Sequence, residues 1–146
     1  MNTAAQSAHT LGLHARAGWA NSPPDQQNQR LVLFWAVYFL EKTLCLRLGR
    51  SSTIRDCDIT VPWPGDLQVA GSHALEYFHH QVKVAGLAGS IYEQLYSGNA
   101  LHLPGETRTT RALELVELLD RHGGGAREAT VIRSLSLFRI YRLLYP

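Results

Sequence analysis

Seven histidines and two cysteines are the residues of this chain most suited to chemistry, and their spacing argues against most of it. His79 and His80 are adjacent, so on a helix they point in different directions. His9 and His14 are five residues apart, a poor spacing for sharing one ion. There is no HExxH motif and no cysteine near a histidine pair, so no metal and no other cofactor is expected in this chain. Cys45 lies inside the long apolar stretch and reads as buried packing. Cys57 lies between Asp56 and Asp58, and negative neighbours discourage a thiolate. No GxSxG occurs, and no glycine-rich loop precedes a helix. Catalysis needs titratable groups gathered in a cleft, and none stands out, so no catalytic residue and no enzyme activity are expected.

The charges that do gather are Arg30, Glu41, Lys42, Arg47, Arg50, Asp56 and Asp58, around one long helix and its exit. One reading is an ion network, buried or half-buried, that holds a loop on the helix. Arginine suits it, because its planar fork binds a carboxylate by two bonds. The other reading is a site for an anionic ligand or a partner near Arg47 and Arg50. Architecture is the commoner role of such pairs. Lys42 alone reads as a solvated surface charge. Trp35, Tyr38 and Phe39 could line a ligand cavity, although aromatic groups on an apolar helix are more often core.

These residues belong to a chain of 146 residues, 45% apolar and 18% charged, with net charge +2. That is the balance of one globular domain. The charge is too small to argue for nucleic acid by itself. Two cysteines are too few for a disulfide framework, which points to a reducing compartment. The first residues lack the apolar core of a signal peptide. The longest apolar run, Leu31 to Leu40, is half of the roughly 20 residues a membrane span needs, so no membrane partner is expected.

The elements follow from periodicity and punctuation. Ala4, Ala8 and Leu11 predict a helix over residues 3–15. A second helix starts near Ser22, a good N-cap followed by proline, and runs to Leu48, with Gly49 placed to take the left-handed C′ position. Its middle is apolar on every side, so other elements should cover it. Residues 50–70 should be extended and irregular, because Pro62 and Pro64 lack amide donors. A third helix is predicted over 72–97, with small residues at Ala85, Gly86 and Gly89 where another helix could approach closely. Gly98 and Asn99 should end it. A fourth fits 107–122, with Leu115, Val116 and Leu119 on one face. The tail from Ala126 is ambiguous between helix and strand. Its arginines (Arg127, Arg133, Arg139, Arg142) read as a solvated face rather than a nucleic-acid or membrane segment. The sum is an all-α domain, a helical bundle with a long proline-containing loop between its central helices.

The stretch from Arg30 to Pro64, RLVLFWAVYFLEKTLCLRLGRSSTIRDCDITVPWP, resembles the signature of the fungal-specific transcription factor domain. This is the regulatory middle homology region of xylanolytic activators and other fungal zinc binuclear-cluster factors. The likeness rests on Arg30, Leu33-Phe34-Trp35, Tyr38, the pair Glu41-Lys42, and Leu48-Gly49-Arg50. It continues through Ile54, Asp56, Asp58, Ile59, Val61 and Pro62. Weaker matches flank it at Leu11 to His14 and at Ile91 to Ser97.

The resemblance implies an α-helical domain that tunes an activator in the nucleus and regulates RNA polymerase II transcription. Its partners would be transcriptional regulators or the rest of its own parent chain, and a small-molecule effector is the alternative. Zinc and specific DNA binding would belong to a six-cysteine N-terminal module that is absent here. Residues 1–122 are expected to form part of the regulatory domain. Residues 123–146 are expected to form a tail out of family register. Arg47, Arg50, Trp35 and Tyr38 are the candidate contacts for a ligand or partner; the remaining motif residues are expected to be structural.

Overall fold

In a computed structural model, residues 2–18, 21–64 and 73–122 are described, and they form helices joined by turns, with no strand among them. Helix α1 spans Asn2–Thr10. Periodicity predicts a helix to residue 15; it stops earlier because Gly12 takes a left-handed conformation, φ 64°. The Leu13 N–H donates to the Ala8 carbonyl and the Gly12 N–H to the His9 carbonyl, each at 2.9 Å. Together these are the two bonds of a Schellman cap. The residues the cap joins, Ala8 and Leu13, are both buried. A 3₁₀ turn follows at Arg16–Gly18.

Helix α2 spans Pro24–Leu48, with Asp25 in its first turn. It opens on a proline, whose missing N–H would have no intrahelical partner there. It closes as its glycine predicts. Gly49 has φ 66°. The Arg50 N–H reaches the Cys45 carbonyl at 2.9 Å and the Gly49 N–H the Leu46 carbonyl at 3.2 Å. The helix is not covered all round as its composition suggests. Leu31, Phe34, Trp35 and Tyr38, spaced 3, 1 and 3 apart, are buried, whereas Val32, Leu33, Leu40 and Leu48 are 43% to 63% exposed.

The chain divides into two compact units. The first comprises the described residues up to 41 and those between 52 and 82. Its core draws on Ala5, Ala8 and Leu13, on the buried stripe of α2, and on Ile54, Val61 and Pro64 from the segment after α2. As far as residue 64 that segment is irregular as predicted, apart from a 3₁₀ turn at Asp56–Asp58; residues 65–70 lie outside the described residues.

The second unit comprises, among the described residues, 42–51 and 83–122; the tail, residues 123–146, and the expectations made for it lie outside the described residues. Helix α3 spans His73–Ile91 and runs on into a π-helical turn, Tyr92–Tyr96. The uninterrupted helix predicted to residue 97 is therefore corrected: the Ser97 N–H bonds five residues back to the Tyr92 carbonyl at 2.9 Å. The helix ends before Gly98 and Asn99 as predicted, but these two residues go on to open a short helix α4, Gly98–Leu101. Ser97 makes that possible, because its Oγ accepts the Ala100 N–H at 3.2 Å as an N-cap. Helix α5 spans Gly105–His122, beginning two residues before the predicted start because the Pro104 carbonyl already accepts the Arg108 N–H. Leu46, Ala88, Ile91, Leu95, Ala112, Leu115 and Leu119 form the core of this unit. The last three recur at helical spacing on α5 and bury its inner stripe.

Lys42 departs from expectation. It is 1% exposed, not a solvated surface charge. The reason lies 47 residues downstream at Gly89, where a Cβ would sit 3.0 Å from Lys42 Cδ and 3.2 Å from its Nζ. The bare backbone of α3 leaves room for the lysine stem.

Candidate functional site

The motif residues converge on a clasp between α2 and residues 52–64, called the strap below. Three side chains of α2 reach it. Trp35 and Tyr38 lie three residues apart and Glu41 another three on, so all share one face of the helix. Each binds a different part of the strap. The Trp35 indole N–H donates to the Pro62 carbonyl at 3.1 Å. The Tyr38 hydroxyl donates to Asp56 Oδ1 at 3.0 Å. Glu41 Oε1 accepts the Thr53 N–H at 2.6 Å and the Thr53 hydroxyl at 2.9 Å, and Oε2 accepts the Ser52 hydroxyl at 2.6 Å. Glu41 is 4% exposed. A buried carboxylate is tolerated when such bonds replace its hydration. Ser52 Oγ also accepts the Ile54 N–H at 3.2 Å, which fixes the start of the strap.

The aromatic residues form one packed cluster. Phe34 meets Trp35 edge-on with centroids 5.1 Å apart, and Trp35 meets Tyr38 edge-on at 5.2 Å. Trp63 of the strap stacks on Trp35 at 4.7 Å. Each pair contributes about 0.5–1.5 kcal/mol beyond its buried area. Trp35 and Tyr38 are fully buried in these contacts.

Asp56 serves Tyr38. Asp58 pairs with Arg55, a residue outside the set singled out by sequence, at 2.8 Å and 3.2 Å. That guanidinium, as a hydrogen-bond partner, holds the Asp58 carboxyl below its usual range. Arg30 is half-buried, and Arg47 and Arg50 are exposed. Leu33, Leu48 and Gly49 are also exposed, Ile59 and Pro62 are half-buried, and Ile54 and Val61 are buried. Cys45 is half-buried and Cys57 exposed.

Sequence reasoning missed Ser52, Thr53 and Arg55. The signal available was the Ser51-Ser52-Thr53 run just past the helix cap, within a short loop of Glu41. It also missed the proximity of His9 and His14. An open cleft of about 500 Å³ is lined by Gln6, His9, Thr10 and Thr53. Among the described residues, no group of three or more histidine, cysteine or carboxylate side chains is placed to hold a metal. No described helix is long and apolar enough to cross a membrane.

An all-α domain is the class that this motif and its setting define, and the comparisons give its family. Residues 1–100 match the fungal specific transcription factor domain, and the chain belongs to that family. It is 30% identical over 102 residues to an ABC-transporter-regulating transcription factor of Aspergillus fumigatus, covering 64% of this chain and 11% of that one. It is 29% identical over 111 residues to the Fusaridione A cluster transcription factor fsdR of Fusarium heterosporum, covering 66% of this chain and 20% of that one. It is 39% identical over 71 residues to Protein STB5 of Saccharomyces cerevisiae, covering 49% of this chain and 10% of that one. The chain thus spans a tenth to a fifth of these relatives' lengths. No solved structure matches it.

Proposed function

We propose that this chain is a regulatory segment of a nuclear transcription factor, acting by protein contact rather than by catalysis. Its partners are transcriptional regulators or the rest of its own parent chain. Zinc and sequence-specific DNA contacts belong, in this reading, to a separate N-terminal module. The observation that supports it is the coincidence of the family match with the clasp: residues 1–100 include every residue that ties α2 to the strap. The clasp fixes the buried face of α2, which leaves Val32, Leu33 and Leu40 presented outward. Exposed apolar side chains held on a rigid helix are suited to contact with another protein.

The test tethers the chain to an unrelated DNA-binding domain upstream of a reporter. Altered transcription relative to the DNA-binding domain alone is expected, together with loss of the effect in Leu33→Glu, a surface change that spares the core. A reporter that ignores the tethered chain, at verified expression, would refute the proposal. The free chain should shift DNA only weakly and with strong salt sensitivity.

A further inference from the structure

We propose that His9 and His14 form a two-imidazole site for a divalent transition-metal ion of the Ni²⁺ or Cu²⁺ type. The cap of α1 creates the pairing. Gly12, in its left-handed conformation, turns the chain back so that His14 meets His9, with ring centroids 4.4 Å apart and planes inclined at 49°. Each ring has a buried nitrogen without a hydrogen-bond partner, Nε2 of His9 and Nδ1 of His14. Neutral imidazole nitrogens of this kind are what borderline divalent ions bind.

Among the divalent first-row ions, Ni²⁺ and Cu²⁺ bind nitrogen ligands most tightly, so they are the ions such a pair favours.

Both backbones are already fixed. The His9 carbonyl accepts the Gly12 N–H, and the His14 carbonyl accepts the Thr60 N–H at 3.0 Å. Arg16 N–H adds a bond to Thr60 Oγ1 at 3.1 Å, tying the same turn to the strap. Little ordering therefore remains to oppose binding. His9 also borders the open cleft with Gln6, Thr10 and Thr53. The site has two protein nitrogens and no third histidine, cysteine or carboxylate among the described residues, which makes it a modest chelate rather than a structural metal centre.

The test titrates Ni²⁺ into the untagged, metal-free full chain. One saturable ion per chain is expected, with affinity falling about tenfold or more in His9→Gln and in His14→Gln but unchanged in His80→Gln. Paramagnetic line broadening in the unaltered protein, centred on residues 9–14, gives the same answer should a variant fail to fold. Equal binding by all variants, broadening centred on His79 and His80, or no saturation by on the order of 1 mM Ni²⁺ would overturn the proposal.

Discussion

Replacing Gly89 by alanine sets two effects of similar size against each other. Alanine is the better helix former, and the exchange inside α3 should gain about 0.5–1 kcal/mol from backbone entropy. Against this, the new methyl group arrives 3.0 Å from Lys42 Cδ, 3.2 Å from Nζ and 3.4 Å from Cε. A surface lysine would swing aside at little cost. Lys42 is 1% exposed, so its stem has nowhere to go without carrying a charged group through packed side chains. Overpacking of this kind costs about 1–3 kcal/mol, so the net expectation is a loss of about 0.5–2 kcal/mol. Urea unfolding measures it, with the slope checked for constancy. The decisive comparison uses Lys42→Ala as background. Without Cδ and Nζ in the way, Gly89→Ala should become stabilising by up to about 1 kcal/mol. If Gly89→Ala stabilises the unaltered chain, Lys42 does not fill the space over Gly89 and the reasoning fails.

Three further outcomes follow from the clasp and its turns. Trp35→Phe keeps most of the stacked ring but deletes the N–H donated to Pro62, and should cost about 0.5–1.5 kcal/mol for the lost bond, well short of the roughly 3–5 kcal/mol of Trp35→Ala. Gly12→Ala meets no atom within 4 Å, so its cost is conformational alone, about 1–2 kcal/mol for holding a non-glycine residue at φ 64°. Both are read from denaturant midpoints. The His14 pKa lies below its ordinary 6.5, pushed down by burial and by neighbouring His9, with Asp58 offsetting part of the shift. The unfolded chain then binds the proton more readily, so the stability contributed by neutral His14 is complete above 6.5 and declines as pH falls below it. Thermal unfolding against pH should show that decline reduced in His14→Gln, and an unchanged profile would refute it.

What the sequence disclosed, and what it did not, separates along local and distant causes. The course of α2 was readable because its start, its apolar repeat and its glycine stop are all contained in residues 22–50. The same is true of the irregular strap, whose prolines bar a helix on their own. The burial of Lys42 was not readable, because it depends on a missing side chain at Gly89 in another helix. The Glu41 clasp was half readable: a carboxylate near an expected loop was visible, but not that the hydroxyls and amide of Ser52 and Thr53 would bind it. His9 and His14 looked badly spaced as long as α1 was expected to reach residue 15; the Gly12 turn removes that premise. Ser97 misled because one serine both accepts a cap bond and closes a π turn, and two glycine-and-asparagine stop signals then start a helix.

Amide hydrogen exchange at Thr53 tests the attachment of the strap to α2 most directly, since that N–H donates to the buried Glu41 carboxylate at 2.6 Å. It should be strongly protected in the unaltered chain, and Glu41→Ala should release it while the amides of Trp35 and Tyr38 within α2 stay slow. A Thr53 amide that exchanges at the rate of an open loop in the unaltered chain would mean that the strap is not held, and that the family motif does not build the clasp described here.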